Sequence, residues 1–474
     1  MTMTTTERTK YAPISASPVK SFFVSWLTRD ISLEDAILDL LDNCVDGILR
    51  SDKKKAGLKP YEGFWAKIEF GKDSFSISDN CGGIPWSMHE YAFKMGRAIN
   101  REPDAQETIG TYGIGMKRAI FKIGRHCLIS TQNAMDRYEI DIPPVWFGQE
   151  DNWTLPVKKS EKEKTEDGTA VLIGNINPGI KEQFNEDSVA FTSKLIGMIS
   201  QHYAFIIEKG FMVKVNGNPI PAFTTRLVFD KNLKNVNQTI RPFVFTTKTE
   251  DGVEVFLTVG FYRDIPTNDE IELENKQPQR SSEEAGWTVL CNDRAVVYCD
   301  KTILTGWGDS GVPRYHTQFI AISGIVEFKA ADPRKLPTTT TKRGLDASSP
   351  VYLQIKNKMR EGMKIFTDYT NKWKGREAES KKQMQDLPQL SLSEIKTAIA
   401  KSPMYAKTRS LPVGIQYMPE LPKPAVLKPT QARISFVRDL SDIHKINEYF
   451  DEPNKKPSEI GEMCFDFVLD EAKK

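Results

Sequence analysis

The sequence is poor in the residues that build metal centres and disulfide frameworks. Its 474 residues include six cysteines and five histidines. No two cysteines form a CxxC pair, and the scattered histidines lack the spacing of zinc ligands. This pattern argues against a zinc site and predicts reduced thiols, as in a cytosolic protein.

Long apolar runs and a strong charge of one sign are also missing. No run of about eighteen apolar residues occurs, so we expect no membrane span. The start, MTMTTTERTKYAP, is polar and lacks the apolar segment of a signal peptide. The net charge of +2 neither favours nor excludes nucleic acid, and 39% hydrophobic with 27% charged residues is typical of soluble proteins. We therefore expect a cytoplasmic protein of about three domains.

A glycine-rich stretch, GTYGIGMKRAIFKIG, occupies residues 110–124 and leads into an apolar, helix-like run. Gly110 and Gly115 have the separation of a Walker A loop, but Met116 stands where the lysine must be. The dinucleotide pattern G-x-G-x-x-G also fails, because Arg118 takes its third glycine position. A glycine loop that enters a helix still favours an anion. By itself the stretch leaves a phosphate loop and a flexible turn equally open.

Upstream, residues 33–48 (LEDAILDLLDNCVDGI) repeat apolar residues at steps of three and four, which predicts an amphipathic helix. Asp39, Asn43 and Asp46 share one face of this helix. A carboxamide oxygen can ligate Mg²⁺, and a carboxylate one turn away can orient or deprotonate water. The alternative is a solvated polar face.

Residues 68–85 (IEFGKDSFSISDNCGGIP) predict two strands that end at Asp79, followed by Gly82 and Gly83. A carboxylate at a strand end can accept a hydrogen bond from an adenine amino group. The glycines let the base lie close to the backbone. A plain turn is the alternative for this segment alone.

Taken in order, the three segments resemble the N box and the two glycine boxes of the GHKL ATPases. This superfamily includes gyrase, MutL, MORC proteins, the Hsp chaperone ATPase and histidine kinases. The segment DGTAVLIGNI, in which Gly168-Thr169 precedes a strand, more weakly resembles a third box of the family. Each segment alone is a weak signal, whereas the ordered set is a strong one.

The resemblance implies that the protein binds ATP and Mg²⁺ and hydrolyses ATP to ADP and phosphate. Asn43 would hold Mg²⁺, and Asp79 would bind the adenine amino group, with Gly83 beneath the base and Thr169 assisting through water. Residues 84–115 would form the ATP lid. The remaining nucleotide contacts would come from residues in or beside the boxes: Asp46, Ile84, Gly110, Tyr112, Gly113, Ile114, Gly115, Met116 and Lys117.

Two positions depart from the family pattern. The general base of the family is usually Glu, four residues before the Asn, and this chain has Asp39 there. Asp is one methylene shorter, and a misplacement of about 1 Å can cost roughly a hundredfold in rate. Cys81 stands where the first glycine of DxGxG is usual. We therefore expect slow hydrolysis.

The second half of the chain alternates apolar and polar residues in several segments. Residues 211–222 predict a hairpin around Asn216-Gly217. Residues 253–263 and 286–299 predict further strands, and residues 317–328 a strand pair.

The segment KLPTTTTKRGLDASSPVYLQI then leads from a polar loop into a helix of about twenty residues. The predicted buried stripe of this helix is Leu353, Met359, Met363, Phe366, Thr370 and Trp373. Strands followed by such a helix resemble the transducer domain of MutL, gyrase and MORC. The resemblance implies a loop lysine that reaches the γ-phosphate, and Lys342 is its best match. A basic surface loop is the alternative.

The implied fold is α+β. A GHKL (Bergerat) α/β sandwich would span residues 1–215, and an S5-type α/β transducer domain residues 216–375. Residues 376–432, rich in proline and basic residues, predict an extended linker, with a nucleic-acid contact as the alternative. Residues 433–474 predict a small helical tail. Its apolar stripe would be Leu440, Ile443, Ile446 and Phe450.

The chain most resembles bacterial MORC-like or MutL-like ATP-binding proteins. That resemblance implies an ATP-dependent homodimer that acts as a switch or clamp on DNA or on a partner protein with an effector activity, in genome maintenance or defence. Two alternatives stay open. One is a scaffold that binds ATP with little or no hydrolysis, and the other is an Hsp-like chaperone.

Overall fold

A computed structural model of the chain forms two compact units, Met1–Pro424 and Ala425–Lys474. The structure describes residues 19–26, 28–50, 53–94, 96, 108–110, 113–185, 189–231, 239–276, 283–339, 342–400, 406–408, 412–425 and 432–474. Among these residues, no helix is long and apolar enough to cross a membrane.

The described residues of the first unit form two large sheets and one two-stranded sheet, and the first large sheet has eight strands. These are β1 (Trp65–Phe70), β2 (Phe75–Asp79), β3 (Gly124–Gln132), β4 (Arg137–Ile142), β5 (Val157–Ser160), β6 (Gly168–Ile176), β7 (Met212–Val215) and β8 (Asn218–Pro219). Their order is β5-β4-β3-β6-β2-β1-β7-β8, and β1 and β7 run parallel in an otherwise antiparallel sheet. The end of β2 therefore lies in the middle of the sheet, beside β6.

Helices pack on this sheet and share one apolar core with it. They are α1 (Lys20–Ser25), α2 (Leu33–Arg50), α3 (His89–Phe93), α4 (Gly115–Ile123), α5 (Pro144–Phe147), α6 (Pro178–Lys181), α7 (Val189–His202) and α8 (Ala204–Glu208). The predicted helix over residues 33–48 is confirmed and continues to Arg50. Ser32 caps its start, because the Ser32 hydroxyl accepts a hydrogen bond from the Asp35 amide at 3.1 Å. The predicted hairpin around Asn216-Gly217 forms β7 and β8, so the expected boundary at residue 215 falls within it.

The second sheet has seven strands in the described residues. They are β10 (Phe243–Lys248), β11 (Glu254–Phe261), β12 (Gly286–Cys291), β13 (Arg294–Asp300), β14 (Ile322–Lys329), β16 (Ala406–Lys407) and β17 (Ile415–Tyr417), in the order β13-β12-β14-β11-β10-β17-β16. A separate pair joins β9 (Leu227–Val228) to β15 (Gln389–Leu390). The predicted strand pair over 317–328 is wrong: only β14 forms, because residues 317–319 make a 3₁₀ turn.

The helices α9 (Asn268–Lys276) and α10 (Pro350–Lys372) accompany this sheet. The predicted long helix is α10, and Met359, Met363 and Phe366 are fully buried in its contact with the sheet. Leu353 is an error in the predicted stripe, since half of its surface is exposed. Tyr352 and Ile355 face the core instead, which places the apolar stripe on a slightly rotated face of the helix.

Residues 376–432 are not the extended linker that their composition predicts. They include α11 (Glu377–Met384), α12 (Leu392–Ala400) and the strands β15, β16 and β17. Val244 of β10 pairs with Tyr417 of β17, and the Trp373 indole donates to the Pro422 carbonyl at 3.1 Å. Leu392 and Ile395 are buried. A few apolar residues among the charges are enough to tie this segment to the second sheet.

The described residues of the second unit form two helices, α13 (Leu440–Tyr449) and α14 (Pro457–Ala472). The rings of Phe450 and Phe467 lie 5.9 Å apart, centroid to centroid. Of the predicted stripe, Leu440 is largely exposed. The Lys456 amide donates to the Glu459 carboxylate at 3.0 Å, which helps to fix the start of α14.

Candidate functional site

A cavity of about 1310 Å³, including its open mouth, lies between α2, the end of β2, the start of α4 and the loop at residue 342. It brings together most of the residues singled out in the sequence: Asp39, Asn43, Asp79, Gly83, Ile84, Gly110, Gly113, Ile114, Gly115, Met116, Lys117, Thr169 and Lys342. Tyr112 lies outside the described residues. Asp46 is close by, but it binds the lid segment and is not part of the cavity wall.

Asp79 stands at the carboxyl end of β2, on the cavity wall. The amides of Cys81 and Thr169 donate to its Oδ1 at 2.7 and 3.3 Å. Burial nevertheless raises the pKa of the Asp79 carboxyl to about 6, because desolvation outweighs these two hydrogen bonds. The β6 backbone approaches closely here, since a Cβ on Gly168 would lie 1.9 Å from the Asp79 carbonyl oxygen.

Gly83 forms the floor beside Asp79 and needs to be a glycine for two reasons. Its φ is +69°, and a Cβ would lie 2.0 Å from the Gln132 carbonyl oxygen. The next amide, that of Ile84, donates to the Thr131 hydroxyl at 2.8 Å, and Thr131 lies 3.0 Å from the Thr169 hydroxyl. Thr131 does not line the cavity but supports Ile84 and Thr169, which do, and the sequence patterns do not reveal it because it belongs to none of the boxes.

The opposite end of the cavity is built on α2. The Asn43 side-chain nitrogen donates to the Asp39 carbonyl at 2.9 Å, which leaves the Asn43 amide oxygen as the atom suited to a cation. Asp39 itself lies between two positive groups. The Arg118 Nη2 is 2.8 Å from its Oδ2, and the Lys342 Nζ is 3.9 Å from its Oδ1.

Behind Asp39, a buried charge network joins α2 to the second sheet. The fully buried Asp42 lies 2.9 Å from the Arg294 Nε and 2.8 Å from the Lys342 Nζ, and it accepts a hydrogen bond from the Tyr203 hydroxyl. Burial opposes ionisation of Asp42, but the charges of Arg294 and Lys342 outweigh it and lower the pKa of this carboxyl. Arg294 also donates to the Lys342 carbonyl at 2.9 Å. It therefore holds the loop of Lys342 as well as its carboxylate partner.

The predicted lid residues are held at both described ends. The Lys117 Nζ donates to the Ala92 carbonyl at 2.7 Å and to the Gly113 carbonyl. Asp46 accepts hydrogen bonds from the amides of Ile109 and Gly110 at 2.6 and 2.8 Å. Lys117 thus contacts lid backbone in this structure, and its predicted phosphate contact stays a prediction.

In the described part of the chain, no three His, Cys, Asp or Glu side chains are grouped so that they could hold a metal ion. The donor set near Asn43 instead suits Mg²⁺ that arrives with phosphate oxygens and water, since Mg²⁺ usually keeps several waters and few protein ligands. The residues present therefore fit a nucleotide-bound cation and do not form an all-protein metal cage.

No curated protein sequence matches the chain. Residues 31–166 match the family of histidine kinase-, DNA gyrase B- and HSP90-like ATPases. The match runs from the residue before Ser32, the cap of α2, through α4 to the turn before β6, so it contains Asp39, Asn43, Asp79 and Gly115 and excludes Thr169 and Lys342. This match supports the assignment of that part of the chain to the GHKL superfamily.

Proposed function

We propose that the protein binds ATP with Mg²⁺ in this cavity and hydrolyses it slowly to ADP and phosphate. One observation carries the proposal: the Asp79 carboxylate and the Asp39–Asn43 pair line the same cavity. Lys342, which lies in the loop between β14 and α10, lines the same cavity.

At the base-binding end, the Asp79 carboxylate would accept a hydrogen bond from the adenine amino group. Its two backbone donors hold it in place, and the missing side chain at Gly83 leaves room for a flat ring. Thr169 would act through a water, since its hydroxyl already pairs with Thr131.

At the phosphate end, the amides at the start of α4 and the Lys342 ammonium group would bind phosphate oxygens. The Asn43 amide oxygen would hold Mg²⁺, which when bound neutralises charge on those oxygens. Lys117 would also donate to a phosphate oxygen, in exchange for its hydrogen bond to the Ala92 or the Gly113 carbonyl.

Asp39 would accept the proton of the attacking water. That water's oxygen would bond to the terminal phosphorus, and the bond from this phosphorus to the bridging oxygen would break, which leaves ADP. Two features predict a low rate: the side chain is one methylene shorter than Glu, and Arg118 and Lys342 both compete for its carboxylate. The same two features favour a second candidate, a scaffold that binds ATP without turnover.

Lys342 would transmit the nucleotide state to the rest of the chain, because it is bound both by Arg294 of β13 and by Asp42 of α2. We propose that this link couples the nucleotide state to the second sheet, as in an ATP-gated dimeric switch or clamp. Its target would be DNA or a partner protein of the MORC-like or MutL-like kind, with an Hsp-like client as the alternative.

The first test is ATP turnover and the binding of a fluorescent ATP analogue by wild type, Asp39→Ala and Asn43→Ala. Asp141→Ala and Asn218→Ala are matched controls, because both side chains are exposed and lie outside the cavity. We expect Asp39→Ala to bind without turnover and Asn43→Ala to lose both. Binding without turnover in wild type would establish the scaffold, and absence of binding would overturn the proposal.

The switch is tested separately by light scattering with and without a non-hydrolysable ATP analogue, which should double the mass. DNA binding is tested by titration at several salt concentrations, because phosphate contacts weaken steeply with salt. Salt-independent or absent DNA binding would leave a protein partner or client as the target.

A further inference from the structure

Arg118 lies in the first turn of α4 and lines the cavity, although no part of the glycine-box pattern assigns it a role. Its Nη2 forms the 2.8 Å ion pair with Asp39. Its Nε is buried and has no hydrogen-bond partner among the described residues. Among the described residues Arg118 therefore meets the Asp39 carboxylate through Nη2, at a cavity wall that an anionic ligand can reach.

The neighbouring charges show why Arg118 differs from the other cations of the site. Arg294 and Lys342 already share Asp42, which is fully buried and fixed by three partners. Arg118 instead pairs with Asp39, which lies on the cavity side of α2 with 7% of its side chain exposed. An entering phosphate therefore competes with one carboxylate for Arg118.

The geometry also allows an exchange of partners within one helical turn. A Cβ on Gly115 would lie 3.2 Å from the Asp39 Oδ2, so Asp39 touches the start of α4, where a phosphate would meet the helix amides. Arg118 follows three residues later, on the same side of the helix. Its planar group can bind a carboxylate or a phosphate in the same manner.

We propose that Arg118 is a phosphate sensor that controls the general base. It holds Asp39 when the phosphate end is empty and donates to the terminal phosphate when ATP is bound, which frees Asp39 to accept the proton of water. This proposal rests on the proposed ATPase function and concerns the regulation of the same site.

A double-mutant cycle on the full chain tests it, with dissociation constants for fluorescent ATP and ADP analogues. The variants are Arg118→Gln, Asp39→Asn and the double variant. Asp39→Asn removes the competing anion, so we expect it to tighten ATP about tenfold relative to ADP when Arg118 is present. In the Arg118→Gln background the same change should have an effect of about twofold or less.

Equal tightening in both backgrounds would overturn the proposal, because Arg118 would then not exchange partners. Arg125→Gln is the matched control: Arg125 donates to the Gly124 carbonyl at 3.0 Å and is not among the residues that line the cavity. It should leave the ATP/ADP ratio unchanged. Asn43→Ala distinguishes the ATP-site proposal from the Arg118 proposal. If Asn43→Ala loses ATP binding but the Arg118–Asp39 cycle is additive, the ATP site stands and the Arg118 proposal is contradicted. If wild type binds no ATP, the ATPase proposal itself fails.

Discussion

The side-chain amide of Asn292 donates a hydrogen bond to the Thr108 carbonyl at 3.0 Å. Asn292 lies in the turn between β12 and β13, and Thr108 lies in the downstream part of the segment expected to form the lid. The next two amides along the chain, those of Ile109 and Gly110, donate to Asp46 on α2. Residues 108–110 are therefore bound from two sides. The turn between β12 and β13 of the second sheet binds Thr108, and α2, which packs on the first sheet, binds Ile109 and Gly110.

Replacement of Asn292 by Ala should loosen this attachment. Asn292 is 3% exposed, and it also donates to the Ala330 carbonyl at 3.1 Å and accepts from the Ala330 amide at 3.0 Å. The change leaves buried backbone groups unpaired, so we expect a loss of about 1–3 kcal/mol in the free energy of unfolding, together with weaker ATP binding. Urea unfolding and the fluorescent analogue measure the two effects. Asn218→Ala, on the exposed β8, should change neither, and an unaltered Asn292→Ala protein would contradict the attachment.

Replacement of Asp42 by Asn should be among the most destabilising single changes at the site. It would leave Arg294, which is 1% exposed, and Lys342 without their buried carboxylate. Breaking a buried pair from one side costs about 3–5 kcal/mol. Asp141→Asn is the control, because its pair with His126 is exposed and such pairs contribute about 1 kcal/mol or less. Similar midpoints of urea unfolding for the two variants would show that the Asp42 network is not a strong interaction.

The expected affinity for ATP depends on pH through Asp79. Its pKa is raised from 3.8 to about 6 by burial, so the carboxylate that accepts the adenine hydrogen bond is lost as pH falls through 6. We expect binding at pH 5 to be up to about tenfold weaker than at pH 7, since one unit below the pKa leaves about a tenth of the groups ionised. Asp79→Asn should bind weakly at every pH and show a flat profile over this range.

The stability of the nucleotide-free protein should change in the opposite direction. A carboxyl whose pKa is raised on folding holds its proton more tightly in the folded state. Its contribution to stability is therefore fully present below pH 3.8 and is lost as pH rises through about 6. The difference in unfolding free energy between wild type and Asp79→Asn, measured across this range, isolates the effect. A difference that does not vary with pH would contradict the raised pKa.

The order of the boxes identifies several residues that line the cavity, but it does not predict which charged side chains pair with one another. Asp39, Asn43, Asp79 and Lys117 can be found because each lies within a short motif. Asp42 and Arg294 cannot, because they are about 250 residues apart in the chain and meet only when the fold brings the first residue of β13 to Asp42 and Tyr203. Only the fold encloses Asp42 completely and leaves Asp39 on the cavity wall.

Arg118 illustrates a different limit. In the sequence it appears only as the residue that breaks a nucleotide-binding pattern, and its role emerges from its distance to Asp39. The segment 376–432 shows the converse. Its prolines and basic residues predict a linker, whereas pairing of β17 with β10, about 170 positions earlier, decides its structure. Long-range strand pairing has no local signal in the sequence.

Gly83→Ala provides a test of the base-binding floor that needs no change of charge. The added Cβ would lie 2.0 Å from the Gln132 carbonyl oxygen at a φ of +69°, so backbone strain and overlap both oppose it. We expect a loss of about 2–4 kcal/mol in unfolding free energy, and weaker binding of the ATP analogue because the backbone at Gly83 must move away from β3 beside the cavity. Gly179→Ala is the matched control, since nothing lies within 4 Å of its added Cβ and its φ is not positive. That change should stabilise the protein by up to about 1 kcal/mol by restricting the unfolded chain. If Gly83→Ala binds and unfolds as wild type does, the close approach of Gly83 to β3 is not part of the working site.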